Sequence, residues 1–416
     1  MSALSSLISS RLTAFSPLPP GLALEWPGGC LGVQPAPVRL RLPDLRSLGW
    51  LAQGRIGHIA DAYVRGDVDI EGAMPDVMAV AGELARDPLR NGAPALWPNW
   101  LARLGAKSRH DRRSDAQQVQ FHYDVCDEFF GLWLDEQRVY SCAYFRDAEM
   151  DLAAAQRAKL ELICRKLRLQ PGQRFLDIGA GWGALLLWAA EHHGVHATGI
   201  TLSRHQHAHV NRLIDERGLR GRVEMQLLDY RDLSVTEPFD RIASVGMFEH
   251  VGRAQLGDYF SRLRGLLKPG GLMLNHGITA AAVGIEQLGA GIGDFIEQHI
   301  FPGGELVHVS EVAHHMADGG LELLDAENLR PHYARTLWSW SDALESRLEQ
   351  AATLVGEPTL RAYRLYLAGS AMAFERGWLS IYQLLASRPD GQVRGGALAG
   401  AQSDYPFNRA YMHSGN

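Results

Sequence analysis

Short apolar runs alternate with amphipathic stretches of helical length along most of the chain. Runs of strand character lie at 174–178, 195–200, 223–227, 239–245, 271–276 and 321–326, and the alternation over 378–384 predicts a seventh strand. The segments that join the first five runs have the composition and length of helices. This order predicts an α/β protein with a parallel, doubly wound sheet. Two further helices are predicted around 337–354 and 359–373.

The first hundred residues have a different pattern. A proline-rich opening leads to 38–42, which alternates as a strand does, and then to 55–64, which has the spacing of a helix. Two more short helical stretches flank Pro88 and Pro94. This pattern predicts a separate, smaller α+β domain over residues 1–102.

Three other segments complete the predicted organisation. Residues 103–116 form a basic linker to the larger domain, which extends over 117–390. Within that domain, 280–315 is rich in glycine but carries large apolar side chains, so an inserted cap is expected there. The glycine-rich tail 391–416 is expected to be loosely held.

Composition narrows the class of protein. A length of 416 residues predicts two or three domains. The net charge of −6 argues against a general nucleic-acid-binding protein. No apolar run approaches the ~20 residues that cross a bilayer, and we recognise no secretion signal. The four cysteines form no C-x-x-C pair, which favours reduced thiols in the cytoplasm.

The glycine-rich turn after the first predicted strand of the larger domain is the central motif. Asp177 lies in that strand, and Gly179, Gly181 and Gly183 precede a helical stretch, which is typical of a nucleotide-like ligand site. A dinucleotide site would need an acidic residue about 20 residues further on, but the next strand runs into 201–206 without one. The spacing therefore favours S-adenosylmethionine. A turn that serves packing alone is the alternative.

Several motifs occur in the order found in one family. They are HYDV at 122–125, VYSCAYF at 139–145, LDIGAGWG at 176–183, GITLS at 199–203, DYRD at 229–232, SVGMFEHVG at 244–252, YLAGS at 366–370 and FERGW at 374–378. Residues 117–388 resemble the cyclopropane-fatty-acyl-phospholipid synthases and the related mycolic-acid cyclopropane synthases. Residues 1–102 resemble the smaller domain of the full-length bacterial enzymes. The resemblance implies a Rossmann-like class I methyltransferase sheet of seven strands with the last strand antiparallel.

The family's reaction explains why a sulfonium donor is needed. An isolated alkene is a poor nucleophile, and its attack on the methyl group of S-adenosylmethionine leaves a carbocation on the acyl chain. Loss of a proton from the added methyl closes a cyclopropane ring. A hydride shift and proton loss elsewhere would instead give a methylene, methyl-branched or furan-type chain. A small-molecule methyltransferase and a non-catalytic lipid-binding module are weaker alternatives.

The resemblance also implies the residues of the site. A bound bicarbonate accepts the proton in this family, and the positions that match its site are Cys142, Glu249, His276 and Tyr333, with the backbone of Ile278. The positions assigned to donor binding are Tyr140, Ser141, Asp177, Gly179, Gly181, Trp182, Gly183, Thr201, Leu202, Gln206, Asp229, Tyr230 and His250. Aromatic faces that suit the two cations are expected from Tyr140, Tyr144, Phe145, Trp182, Phe248 and Tyr333.

Two further sequence features bear on the site. The family usually has Gly-Asn where this chain has Cys126-Asp127, which puts a turn with positive φ in doubt and changes a polar contact. Ala180 replaces a commoner cysteine. The helical histidines His205, His207 and His209 suggest a metal site, but a solvated helix is the better interpretation and no metal is expected.

A phospholipid substrate implies contact with a membrane. We therefore expect a cytoplasmic protein that binds peripherally to the inner face of the cytoplasmic membrane, as a homodimer, without a nucleic-acid partner. The densest basic cluster, 103–113, is the first candidate for contact with lipid phosphates. Its alternative role is a solvated linker. The N-terminal domain is expected to assist in lipid binding or dimerisation.

Overall fold

The computed structural model describes residues 18–32, 34–52, 54–85, 126–234, 236–283, 288–300, 305–389 and 406–413. The chain forms two compact units. The smaller unit takes in the described residues of 1–107, 287–302 and 337–378, and the larger unit takes in the others. The predicted linker 103–116, the stretches around Pro88 and Pro94, and most of the tail 391–416 lie outside the described residues.

The described elements are numbered in chain order. The strands are β1 (Leu22–Trp26), β2 (Gly29–Leu31), β3 (Val38–Arg41), β4 (Asp69–Glu71), β5 (Arg174–Ile178), β6 (His196–Thr201), β7 (Val223–Leu227), β8 (Phe239–Val245), β9 (Leu267–Ala280), β10 (Glu322–Asn328) and β11 (Leu379–Ser387). The helices are α1 (Leu45–Ala52), α2 (Ile56–Arg65), α3 (Met74–Leu84), α4 (Asp127–Trp133), α5 (Leu152–Lys166), α6 (Ala184–His193), α7 (Arg204–Glu216), α8 (Leu256–Leu266), α9 (Ile292–His299), α10 (Val309–Asp318), α11 (Arg330–Glu345), α12 (Leu348–Glu375) and α13 (Ala410–His413). Two 3₁₀ turns lie at Phe248–His250 and Arg253–Gln255.

The smaller unit is built on a four-stranded sheet in the order β2-β1-β3-β4, in which β1 and β3 are parallel. In the same unit, Gly57 of α2 packs closely against Gly291 in the turn before α9. A Cβ on Gly57 would lie 2.0 Å from the carbonyl oxygen of Gly291. His299 of α9 also contacts Asp61 of α2 at 2.9 Å. The segment 288–300, predicted as part of a cap in the larger domain, therefore packs within the smaller unit.

The larger unit contains a seven-stranded sheet in the order β10-β11-β9-β8-β5-β6-β7. Strand β11 is antiparallel to both of its neighbours, and the other pairings are parallel. Adjacent residues of one strand enter opposite cores: Phe175 packs with α5 and α6, whereas Leu176 packs with α8 and α10. Burial on both faces explains the consecutive apolar residues in β5 and β9, such as Phe175 and Leu176. The predicted α/β fold, with its last strand antiparallel, is confirmed.

The element boundaries differ most from prediction in β9 and in the last two long helices. Strand β9 extends from Leu267 to Ala280, well beyond the predicted 271–276. The helices predicted at 337–354 and 359–373 are instead α11 and α12, and α12 bends where Gly356 has φ 74° just before Pro358. The prediction placed a break between helices at 355–358, and the non-helical backbone of Gly356 confirms it; the chain also turns earlier, between Glu345 and Leu348. No helix within the described residues is long and apolar enough to cross a membrane.

Candidate active site

The turn after β5 has a backbone that requires glycine. Gly179, Gly181 and Gly183 have φ values of 73°, 56° and 85°, which side chains rarely allow. A Cβ on Gly183 would also lie 2.8 Å from Val210. The N–H groups of Gly179 and Ala180 both donate to the carbonyl of Ile200, at 3.1 and 3.0 Å. The turn is thereby fixed against the end of β6, at the carboxyl edge where ligands of such sheets bind.

A pocket opens at this edge. All the predicted donor-binding residues except Gly183 line it: Tyr140, Ser141, Asp177, Gly179, Gly181, Trp182, Thr201, Leu202, Gln206, Asp229, Tyr230 and His250. Gly183 instead begins α6 beneath the turn. The lining also includes Arg138, Lys159, Arg231 and Met247, which the sequence did not single out. Thus residues from five of the separate motifs meet at one cavity.

Polar contacts fix several side chains of the pocket. The hydroxyl of Thr201 donates to Oε1 of Gln206 at 2.8 Å, which orients the glutamine amide. The carboxylate of Asp229 accepts from the side chain of Arg231 at 2.6 and 2.9 Å and from its backbone N–H at 2.9 Å. These two charges therefore balance each other within the pocket wall.

Asp177 and Lys159 bring opposite charges into the pocket. Burial raises the pKa of Asp177 to about 7, and the charge of Lys159 opposes that rise. Burial lowers the pKa of Lys159 to about 8, partly offset by Cys142, Asp135 and Asp177. Lys159 was missed in the sequence, because a lysine is ordinarily exposed and nothing local marks this one as buried.

Glu249 lies in the short turn that follows β8. Its Oε1 accepts from the N–H of Ile278 at 2.7 Å, while Oε2 is buried without a hydrogen-bond partner among the described residues. Burial raises the pKa of Glu249 to about 7. The N–H of Ile278, predicted to contact bicarbonate, is thus donated to Glu249 in this structure.

His276 extends from β9, two residues before Ile278. Its Nδ1 lies 3.0 Å from Nε2 of Gln383, and Nε2 is buried without a partner among the described residues. Burial holds the pKa of His276 well below its usual value, so the ring is neutral. With Gln383 donating to Nδ1, the proton lies on Nε2. Gln383 was missed in the sequence, because only the pairing of β11 with β9 places it opposite His276.

Cys142 and Tyr333 meet at the carbonyl of Leu329. The Cys142 thiol lies 3.8 Å from that oxygen and 3.2 Å from the carbonyl of Ala143, and the N–H of Tyr333 donates to Leu329 at 3.0 Å. Complete burial raises the pKa of Cys142, which keeps the thiol protonated. Leu329 in turn donates to Ile381 at 2.9 Å, and Ile381 pairs with Ile278. The sheet therefore connects these two residues to Glu249.

Four of the six predicted aromatic residues fall into two groups, and Phe248 is instead part of the hydrophobic core. Tyr140 and Trp182 line the pocket. Tyr144 and Phe145 stack on His332, with ring centroids 4.7 and 6.5 Å away, and the N–H of Phe145 donates to Nδ1 of His332 at 3.1 Å. Their role is to hold the segment that carries Cys142 against α11.

The departure at Cys126-Asp127 requires no unusual backbone. Cys126 has φ −61° and ψ 146° and caps α4, so no positive φ is needed there. The carboxylate of Asp127 lies 4.0 Å from Arg138 and 3.5 Å from His205.

The three helical histidines do not converge. His209 packs edge-on against Trp182, and His207 lies 3.1 Å from Asn211. Over the described ranges, no group of three His, Cys, Asp or Glu side chains could hold a metal ion.

The fold and the glycine-turn pocket define a class I methyltransferase. The family model described as mycolic acid cyclopropane synthetase matches residues 110–384, and the chain belongs to this family. It is an S-adenosylmethionine-dependent methyltransferase of the cyclopropane synthase family.

Relatives and solved structures agree with this assignment. A Pseudomonas putida protein named "Probable fatty acid methyltransferase" is 41% identical over 389 residues, which cover 93% of this chain and 95% of that protein. The structure of the cyclopropane synthase MmaA2 from Mycobacterium tuberculosis has a TM-score of 0.62 and 37% identity, covering 65% of this chain and 98% of that one. Mycolic acid cyclopropane synthase CmaA1, solved with SAH and CTAB, has the same TM-score, identity and coverage.

Proposed function

We propose that the protein transfers the methyl carbon of S-adenosylmethionine to the cis double bond of an unsaturated acyl chain of a membrane phospholipid, forming a cyclopropane ring. The alkene electrons attack the methyl carbon, and the carbon–sulfur bond breaks to leave S-adenosylhomocysteine. The resulting carbocation loses a proton from the added methyl group, and the freed electron pair closes the ring. Relatives named as fatty acid methyltransferases and cyclopropane mycolic acid synthases support an acyl substrate.

The observation that carries this proposal is the pair of unpartnered polar atoms beside the donor pocket. Glu249 Oε2 and His276 Nε2 are both buried without partners among the described residues. Glu249 lies between Met247 and His250, which line the pocket. Buried polar atoms without partners are costly. Their presence here supports a polar ligand or a proton-transfer role at this point.

These atoms fit bicarbonate. Neutral His276 offers a donor at Nε2, and Glu249, whose pKa is about 7, offers an acceptor when ionised and a donor when protonated. Glu249 and His276 would hold the ion, with Cys142 and Tyr333 contributing from the Leu329 side. Bound there, bicarbonate would supply the base for the last proton.

A second product class shares the first step. If the carbocation shifted a hydride and lost its proton from another carbon, the product would be a methylene or unsaturated methyl-branched chain, which is the precursor of saturated methyl-branched and furan-type chains. The P. putida relative and a 34% identical M. tuberculosis relative, which cover 93% and 87% of this chain, are both named as probable fatty acid methyltransferases without mention of a ring. This naming favours the branched product as the alternative.

We also propose that the protein reaches its substrate as a peripheral membrane protein and a homodimer in the cytoplasm. The cluster at 103–113 supplies positive charge in a chain with a net charge of −6. These residues lie outside the described part of the chain. Attraction between basic residues and anionic lipid is worth ~1 kcal/mol per residue near the surface.

The test is lipid analysis in a bacterial host without its own cyclopropane activity. The wild type should add one carbon to monounsaturated phospholipid chains, and proton NMR should show ring protons. Glu249→Gln should lower the yield by about 10²–10⁴-fold, because a positioned acid–base group is lost. Glu224→Gln, on the exposed edge of β7, is the matched control. Chains one carbon heavier that show methyl-branch or methylene signals instead of ring protons would establish the branched product. Unmodified lipid from a well-folded wild type would refute both.

A further inference from the structure

Lys159 is a buried cation that the proposed acyl chemistry does not use. It lies in α5, is 2% exposed and lines the donor pocket. Its Nζ donates to Oγ of Ser141 at 2.9 Å. Within the described ranges no carboxylate lies within ion-pair distance of it. An incompletely paired buried ammonium is costly, and it therefore points to an anionic group on the ligand.

The other cations of the pocket are already close to protein carboxylates. Arg231 is hydrogen-bonded to Asp229. Arg138 lies 4.0 Å from Asp127 and 5.2 Å from the ring centroid of Trp182. Lys159 is thus the pocket cation best placed to receive a new negative charge.

Helix α5 also positions Ser141, the hydrogen-bond partner of Lys159. Gln156, one turn earlier, donates to the carbonyls of Ser141 at 2.8 Å and Val139 at 3.3 Å. The Ser141 hydroxyl accepts from Lys159, so its own proton is available to a ligand. The ammonium and the hydroxyl are therefore two donors held beside one another by the same helix.

We propose that Lys159 and the Ser141 hydroxyl together bind the α-carboxylate of S-adenosylmethionine. Asp177 lines the same pocket and offers the opposite charge to the α-ammonium of the donor. The amino-acid end of the donor thus meets charges of both signs. This inference rests on the donor half of the proposed function and is independent of which acyl product forms.

The test compares two ligands by titration calorimetry. S-adenosylhomocysteine carries the amino-acid end, whereas 5′-methylthioadenosine keeps the adenosine and the thioether but lacks the carboxylate. Lys159→Met should weaken binding of S-adenosylhomocysteine by about 10- to 100-fold, the effect expected of a charge-assisted hydrogen bond. Binding of 5′-methylthioadenosine should change by less than about threefold, and it also reports that the pocket is intact.

Lys166→Met is the matched control. Lys166 lies two turns further along α5, is also fully buried, and is ion-paired with Glu327 rather than facing the pocket. Its replacement should affect the two ligands equally. If Lys159→Met weakens both ligands by the same factor, Lys159 only supports the pocket wall. If S-adenosylhomocysteine binds Lys159→Met as it binds the wild type, another group holds the carboxylate. Either result overturns the inference, whereas failure of the proposed function would appear only in the lipid products.

Discussion

Replacing Glu249 by glutamine should stabilise the fold while it lowers turnover by about 10²–10⁴-fold. The carboxyl group has a pKa of about 7 instead of 4.5, because it is buried and only one of its oxygens has a hydrogen-bond partner. The folded state therefore binds more protons than the unfolded state between these two values, and stability is lost as pH rises from about 4.5 to about 7. Once the group is ionised, the cost to the fold is about 3 kcal/mol. Glutamine keeps an acceptor for Ile278 and carries no charge, so the cost disappears.

Urea unfolding in buffers freed of CO₂ measures this effect. At pH 8 the variant should be more stable than the wild type by about 2–4 kcal/mol, and at pH 5 the difference should fall below about 1 kcal/mol. Other groups titrate in the same range, Asp177 among them. They are common to both proteins, so the difference isolates Glu249. A difference that stays constant from pH 5 to pH 8 would show that Glu249 ionises normally, and the argument from its burial would be wrong.

Two further outcomes follow from the packing and from the charge distribution. Gly277→Ala should abolish product formation yet leave binding of S-adenosylhomocysteine intact, because a Cβ there would lie 2.0 Å from the ring of Phe248 and 2.9 Å from Oε1 of Glu249. Calorimetry of S-adenosylhomocysteine binding and lipid analysis together check this prediction. Gly265→Ala is the control, because a Cβ at that position would meet nothing within 4 Å. Normal product formation by Gly277→Ala would contradict the prediction. Neutralising Arg109, Arg112 and Arg113 should weaken binding to anionic vesicles in a sedimentation assay, and added salt should weaken the wild type likewise. If neither the substitutions nor the added salt weakened vesicle binding, the membrane contact would lie elsewhere in the protein.

The sheet could be predicted from the sequence because its strands have recognisable patterns: consecutive apolar residues in β5, and alternation of buried and exposed residues in β7. Strands β5, β7 and β8 have the predicted bounds. The glycine turn was equally visible, since its three positive φ values require glycine. The end of β9 was not, because the prediction stopped before Gly277, and a glycine ordinarily weakens a strand although this one lies within it.

Charged residues of the site were the hardest to predict. A sequence shows the type of a side chain but not its burial, and Lys159 and Lys166 look like ordinary helical lysines until α5 is packed. The division into units was similarly hidden, since the contact of Gly57 with Gly291 joins segments more than 200 residues apart. Such contacts depend on the tertiary structure, and no local pattern records them.

The antiparallel direction of β11 explains how the site is completed. In a wholly parallel sheet, each strand brings only its last residues to the ligand edge. Strand β11 runs the other way, so Ile381 and Gln383, near its start, pair with Ile278 and His276 near the end of β9. The same reversal lets the N–H of Leu329 donate to Ile381, while the carbonyl of Leu329 contacts the Cys142 thiol and the backbone of Tyr333. The last strand therefore places Gln383 beside His276 and ties the Leu329 segment to the edge that holds Glu249.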